Sequence, residues 1–287
     1  RSSDLEKERA TVFSVYASGI FIGIGLSFLA GGAISLNYDW QTAMVAAGIP
    51  GLVLAPLVWI LVKEPERKAH HPVISENALG EIRSILHNRS IRWHLAGFSF
   101  LACTGYTILG FAGNIFNDVY ARPDLTTQFG WFMFGVGGMV VLSGRVADKL
   151  AQKNAARRYW MGLVAALAGL PFYLFGLFAE DAGTAFILIG TGVLFSSSYN
   201  GVAAALIQFY VKPGQRALTG GLYLFVISIA GFGLGPPITG WLTDAVFSGR
   251  YAVSSAILTV MMVCSAGATF SFFRAMAVYH RDIPEQS

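Results

Sequence analysis

Eight stretches of this chain are each long and apolar enough to cross a lipid bilayer, which limits the possible folds severely. They run over 11–36, 41–62, 93–117, 127–147, 159–179, 184–210, 219–245 and 251–273. A helix rises about 1.5 Å per residue, so a hydrocarbon core about 30 Å thick needs roughly 20 apolar residues. Apolar side chains surround each run, whereas a helix of a soluble bundle keeps a solvated face. The runs lack the two-residue alternation of a membrane β-barrel. Charge is scarce, at 13% of the 287 residues, against about 25% in an average soluble domain. A disordered chain, a nucleic-acid-binding domain and an ordinary soluble enzyme are all excluded. The expected fold is all-α, a polytopic bundle of eight transmembrane helices. Cys103 and Cys264 lie inside apolar runs and read as small packing residues.

The charges that remain are distributed by side. Of the 20 Lys and Arg, only Arg122 and Arg250 fall in the connections on one side. All others lie before the first span, in the loop 63–92, after the fourth span, before the seventh or after the eighth. An excess of Lys and Arg marks cytoplasmic segments, so both ends of the chain are expected in the cytoplasm, with the helices in a membrane of bacterial inner-membrane type. Within the long loop, Ser75 to Arg92 carries Leu79, Ile82, Ile85 and Leu86 at helical spacing with charges on the other faces. That pattern predicts an amphipathic helix on the membrane surface. His70 and His71 in the same loop lack the further ligands that a metal site needs.

The first and seventh spans repeat a pattern. Arg9-Ala10 and Arg216-Ala217 each open a glycine series, Gly19 to Gly32 in one and Gly231 to Gly240 in the other. Repeats related by an axis along the membrane normal build many secondary transporters. The chain opens RSSDLEKERA without a Met. If the last six spans are one six-helix half, residues 1–63 are expected to be the end of a preceding half. Residues 64–92 then form the linker, and 93–287 the second half.

These residues resemble the major facilitator superfamily. The segment GRVADKLAQKNAARR, from Gly144 to Arg158, is similar to that superfamily's Gly-x-x-x-Asp-Arg/Lys loop signature. QRALTGGLYLFVISIAGFGLGPPITGWLTDAV resembles the eleventh helix of the Spinster-like branch. ERATVFSVYASGIFIGIGLSFLAGG and AAGIPGLVLAPLVWILVKEPER resemble its fifth and sixth helices, so the chain looks like helices 5–12 of a twelve-helix protein. One departure stands out. Where antiporters of the superfamily carry Gly-Pro-x-x-Gly-Gly, this chain has Ser27-Phe28-Leu29-Ala30-Gly31-Gly32, without the proline.

The resemblance implies a carrier that moves a small molecule by alternating access, with no cofactor. It implies a cytoplasmic gate built from Arg9, Gly144, Asp148, Lys149 and Arg216, with Asp148 seated on the start of the first span or on Arg9, Arg145 or Arg216. Polar groups inside spans face protein or a wet cavity. With the cavity-lining helices that the resemblance assigns, Tyr106, Asn114, Ser197, Tyr199, Asn200 and Tyr223 are the expected cavity residues. Aromatic walls with few polar groups suit an amphipathic or lipid-like substrate. Membrane lipids, and protons as coupling ion, are the other expected partners, and nucleic acid is not. No Asp, Glu, Lys or Arg lies at mid-depth in a span. The rival readings are a membrane-embedded lipid-processing enzyme and a carrier for a different small solute.

Overall fold

The computed structural model describes residues 9–62, 78–152 and 154–279. The histidine pair at 70–71 lies outside the described residues. Eight helices are long and apolar enough to span a membrane. They are α1 (Ala10–Asn37), α2 (Trp40–Leu61), α4 (Arg89–Val119), α5 (Pro123–Ala151), α6 (Ala155–Gly176), α7 (Ala182–Tyr210), α8 (Arg216–Ala245) and α9 (Ala252–Val278), with α3 (Ala78–His87) a short helix between α2 and α4. Several overrun the apolar stretches by about a turn, because backbone hydrogen bonding continues past the hydrocarbon to the next capping residue. Asp39 and Asp181 cap α2 and α7 by accepting the N–H groups of Thr42 and Thr184 at 2.6 and 2.7 Å. Those backbone hydrogen bonds hold both carboxyls below the usual carboxylate range.

The amphipathic helix expected over Ser75–Arg92 ends at His87. Asn88 turns to extended backbone (ψ 120°), and its side chain accepts the Ile91 N–H at 3.1 Å, capping α4 instead. Ile85 is buried against the body while Leu79 is left 80% exposed.

α4 to α9 form a packed six-helix body. Its apolar interior has one cluster at the Arg-rich end, around Phe98, Tyr159, Tyr199, Tyr223 and Phe272, and one toward the other end, around Phe116, Phe129, Met133, Tyr173 and Ile257. α1 lies along this body, whereas no residue of α2 is buried; Leu52 and Trp59 are 78% and 85% exposed. Surface of this kind is stable only against lipid or further helices.

Several helices are interrupted, and side chains satisfy the carbonyls so freed. α7 opens into a turn at 197–199. Ser143 Oγ of α5 donates to the Ser198 carbonyl, and Asn200 Nδ2 donates to the Ser197 carbonyl at 2.8 Å. In α1 the departure from the Gly-Pro pattern falls on a π turn, Ser27–Gly31. A second π turn, Ile115–Val119, closes α4. Beyond it Arg250 Nε donates to the Val119 carbonyl at 3.1 Å, and Tyr120 donates to the Ala179 carbonyl at 2.7 Å. Burial pushes the Tyr120 phenol up to about 12, so it remains a protonated donor.

His94, at the edge of the long loop in sequence, is fully buried. Its Nδ1 meets the Tyr159 hydroxyl at 3.0 Å, and that hydroxyl meets Tyr210 at 2.9 Å. Tyr159→Phe removes both hydrogen bonds from a fully buried position and should destabilise the body by about 1–3 kcal/mol. Tyr173→Phe removes only the bond to Ser196 and should cost less. Thermal unfolding in detergent ranks the two; a Tyr159→Phe midpoint equal to that of the unsubstituted protein would show that the chain of hydroxyls is dispensable.

Candidate functional site

The signature read at Gly144–Arg158 lies where α1 meets the six-helix body. α1 offers this seam a row of small residues broken by one aromatic: Ala10, Ser14, Ala17, Phe21 and Gly25. The steps of three and four keep them on one helix face. α5 answers with Gly130, Gly137 and Gly144, each seven residues apart and therefore on one stripe. A Cβ on Gly144 would lie 2.8 Å from the Ala10 carbonyl oxygen, and one on Gly25 would lie 2.9 Å from the Gly130 carbonyl oxygen. Gly201 of α7 meets Ser14 equally closely. Backbones in such contact pack by van der Waals attraction, which is what holds helices together in lipid.

At the Arg-rich end of the stripe stands Asp148, 7% exposed. Its carboxylate accepts the backbone N–H groups of Ala10 at 3.3 Å and Thr11 at 2.9 Å, and the Thr11 hydroxyl at 2.9 Å. The first N–H groups of a helix have no partner within it and carry about half a positive charge, so a carboxylate there is doubly favoured. The same carboxylate is 3.3 Å from Arg158 Nη2, and Arg158 is itself 5% exposed. The Arg158 guanidinium also lies 4.6 Å from the centre of the Phe209 ring. Asp148 thus links three helices: its own α5, α6 through Arg158, and α1.

Of the expected gate residues, Gly144 and Asp148 are in the seam. Lys149 and Arg145 are exposed, and Arg216 is half-buried with its carbonyl accepting from Gln208 Nε2 at 3.5 Å. The Arg9 side chain lies outside the described residues. The arginine that pairs with Asp148 is Arg158, which sequence reasoning placed in the signature but gave no role. The signal for the glycine stripe was present as the seven-residue spacing of Gly130, Gly137 and Gly144.

The expected cavity residues separate into groups. Tyr199 and Tyr223 are buried in the body, with Tyr199 stacked on Phe98 at 5.5 Å and Tyr223 5.8 Å from His94. Tyr106 is half-buried, packed into the space over Gly231 and 3.7 Å from the Phe232 ring. Ser197 and Asn200 belong to the break in α7. Asn114 is exposed near the opposite end and donates to Asp118 at 3.1 Å.

Apolar spanning helices, with two parts meeting at a charged and close-packed seam, define a multi-pass helical membrane protein. The chain belongs to the major facilitator superfamily, whose family model matches residues 5–232. It is 26% identical to an MFS-type efflux pump of Mycolicibacterium smegmatis, over 98% of this chain and 66% of that protein. It is 24% identical to a hexuronate transporter of Bacillus subtilis, over 87% of this chain and 63% of that protein. It is 21% identical to the sphingosine-1-phosphate transporter SPNS2 of Xenopus tropicalis, over 83% of this chain and 50% of that protein. The chain therefore spans between half and two thirds of the length of these relatives. Its fold matches a bacterial homolog to the human lysosomal transporter Spinster in its inward-facing, unoccupied conformation, with a TM-score of 0.68 at 20% identity, over 96% of this chain and 70% of that one.

Proposed function

We propose that this chain works in a secondary transporter that moves an amphipathic, lipid-like molecule by alternating access, with the α1–α5 seam as the gate at the Arg-rich end. The observation that carries the reading is the Asp148 carboxylate seated on the N-terminus of α1. This contact joins two parts that a rocking motion would separate, so it exists in one access state and is lost in the other. Asp148 and Arg158 both belong to the six-helix body, so their ion pair travels with it. The similarity to a transporter of sphingosine-1-phosphate supports a lipid-like substrate, with the half-buried Tyr106 and its Phe232 neighbour as candidate apolar contacts.

Proteoliposomes carrying the protein test this directly. The expected result is saturable flux of a lysolipid or sphingoid molecule that Asp148→Asn alters. High-affinity binding of a sugar with none of lysolipids would overturn the substrate class. Conversion of the lipid into a new product would favour the embedded enzyme.

The orientation has its own check. A single Cys placed at His71 should react with a membrane-impermeant maleimide from the cytoplasmic side only, and one at Gly249 from the opposite side only. The reverse pattern would turn the chain over in the membrane.

A further inference from the structure

A second site lies on the face of the six-helix body formed by α4, α8 and α9, away from the α1 seam and independent of any transport. At the Arg-rich end, Arg89, Arg92, Trp93, Ala96, Arg274 and Val278 surround a cavity of about 500 Å³ between α4 and α9. The three arginines are exposed, and no ion pair is formed by them among the described residues. Arg274 lies over the Trp93 ring at 5.6 Å, and Trp93 meets Phe270 edge-on at 5.6 Å, so one of the cations is held in place against aromatic surface.

Ala96 also opens a second crevice of about 410 Å³, which continues between α4, α8 and α9 past Phe100, Cys103, Leu234 and Val263. Its lining carries no charged residue. On α4 the residues Arg89, Arg92, Trp93, Ala96, Ser99, Phe100 and Cys103 recur at three and four, so a single face of the helix runs from the basic pocket into the apolar one. Helix rise separates Arg89 from Cys103 by about 21 Å, more than the roughly 15 Å depth of one leaflet.

Arginines that merely snorkel at an interface point out singly into water and headgroups. Here three converge on one hollow, and that hollow leads into a groove with an apolar lining. We propose that this is a binding site for an anionic phospholipid of the leaflet at the Arg-rich end, with the headgroup phosphate held by Arg89, Arg92 and Arg274 and one acyl chain laid in the groove. Charge complementarity selects the headgroup. The length and apolarity of the groove select a lipid over free phosphate.

Native mass spectrometry of the purified protein, titrated with phosphatidylglycerol and with phosphatidylcholine, tests the site. Phosphatidylglycerol should be retained more tightly. An arginine near a membrane surface is worth about fivefold in affinity for an anionic lipid, so R89Q/R92Q/R274Q should weaken retention by up to roughly a hundredfold. Val263→Trp fills the groove from a position that is 63% exposed, so it spares the fold; it should reduce retention while leaving the unfolding midpoint unchanged. Equal retention of the two lipids, or an unaffected triple variant, would overturn the proposal. Complete displacement by inorganic phosphate would overturn the lipid as occupant, and normal retention by Val263→Trp would remove the acyl-chain groove.

Discussion

Asp148→Asn should shift the protein away from the state in which the Arg-rich ends of α1 and the six-helix body touch. The carboxylate accepts two N–H groups and a hydroxyl from the first turn of α1. A partly buried charge at a helix terminus contributes up to ~2 kcal/mol, so the population ratio should change by at most about 30-fold. Thr11→Val removes only the hydroxyl, one of the three donors from α1, and leaves the charge and both N–H groups in place, so it should have a smaller effect in the same direction. A spin-label pair at Val12 of α1 and Arg157 in the first turn of α6, both exposed, reads the distance distribution.

A complication has a remedy. Removing the acid also strands Arg158 as a buried cation, and breaking a buried pair on one side costs about 3–5 kcal/mol of stability. Arg158 belongs to the body in either access state, so this loss lowers stability without setting the gate. The double variant Asp148→Asn/Arg158→Met should recover the stability and keep the shift in distances. An unchanged distribution in both variants would reduce Asp148 to a structural ion pair.

Gly144→Ala should open the same seam through sterics. Its Cβ would meet the Ala10 carbonyl, a backbone atom with no freedom to rotate away. Overpacking of this kind costs about 1–3 kcal/mol. Any outward movement of α1 also stretches the bonds to Asp148, so the two losses reinforce each other. Gly137→Ala, two turns away on the same stripe, brings its Cβ no nearer than 3.4 Å to the Ser18 carbonyl and should be tolerated. The same label pair should report separation for Gly144→Ala and near-native distances for Gly137→Ala. Equal behaviour of the two alanine variants would mean that α1 is not held against α5 at van der Waals contact.

The sequence by itself determined the eight spans, because a bilayer accepts a chain only as helices whose backbone groups are satisfied within each segment, and the apolar runs show where those are. It also singled out Asp148, through the resemblance of Gly144–Arg158 to the superfamily's loop signature, which implies a carboxylate seated on a helix start or an arginine. Which helix start and which arginine were decided only by tertiary structure. Arg158 reaches Asp148 across a chain reversal through the 3-10 turn Ala155–Arg158, and spacing along the sequence does not reveal that meeting.

Seven-residue glycine spacing on α5 becomes a stripe only once α1 lies along it, and small residues favour close approach without specifying the partner. His94 sits at a loop edge in sequence and inside an aromatic cluster in space, because α6, α7 and α9 close over the first turns of α4. Asn114 and Tyr199, equally polar when read along their spans, part company for the same reason. The direction a side chain faces in a bundle is set by the neighbouring helices, and lipid, which offers every apolar face the same welcome, cannot set it.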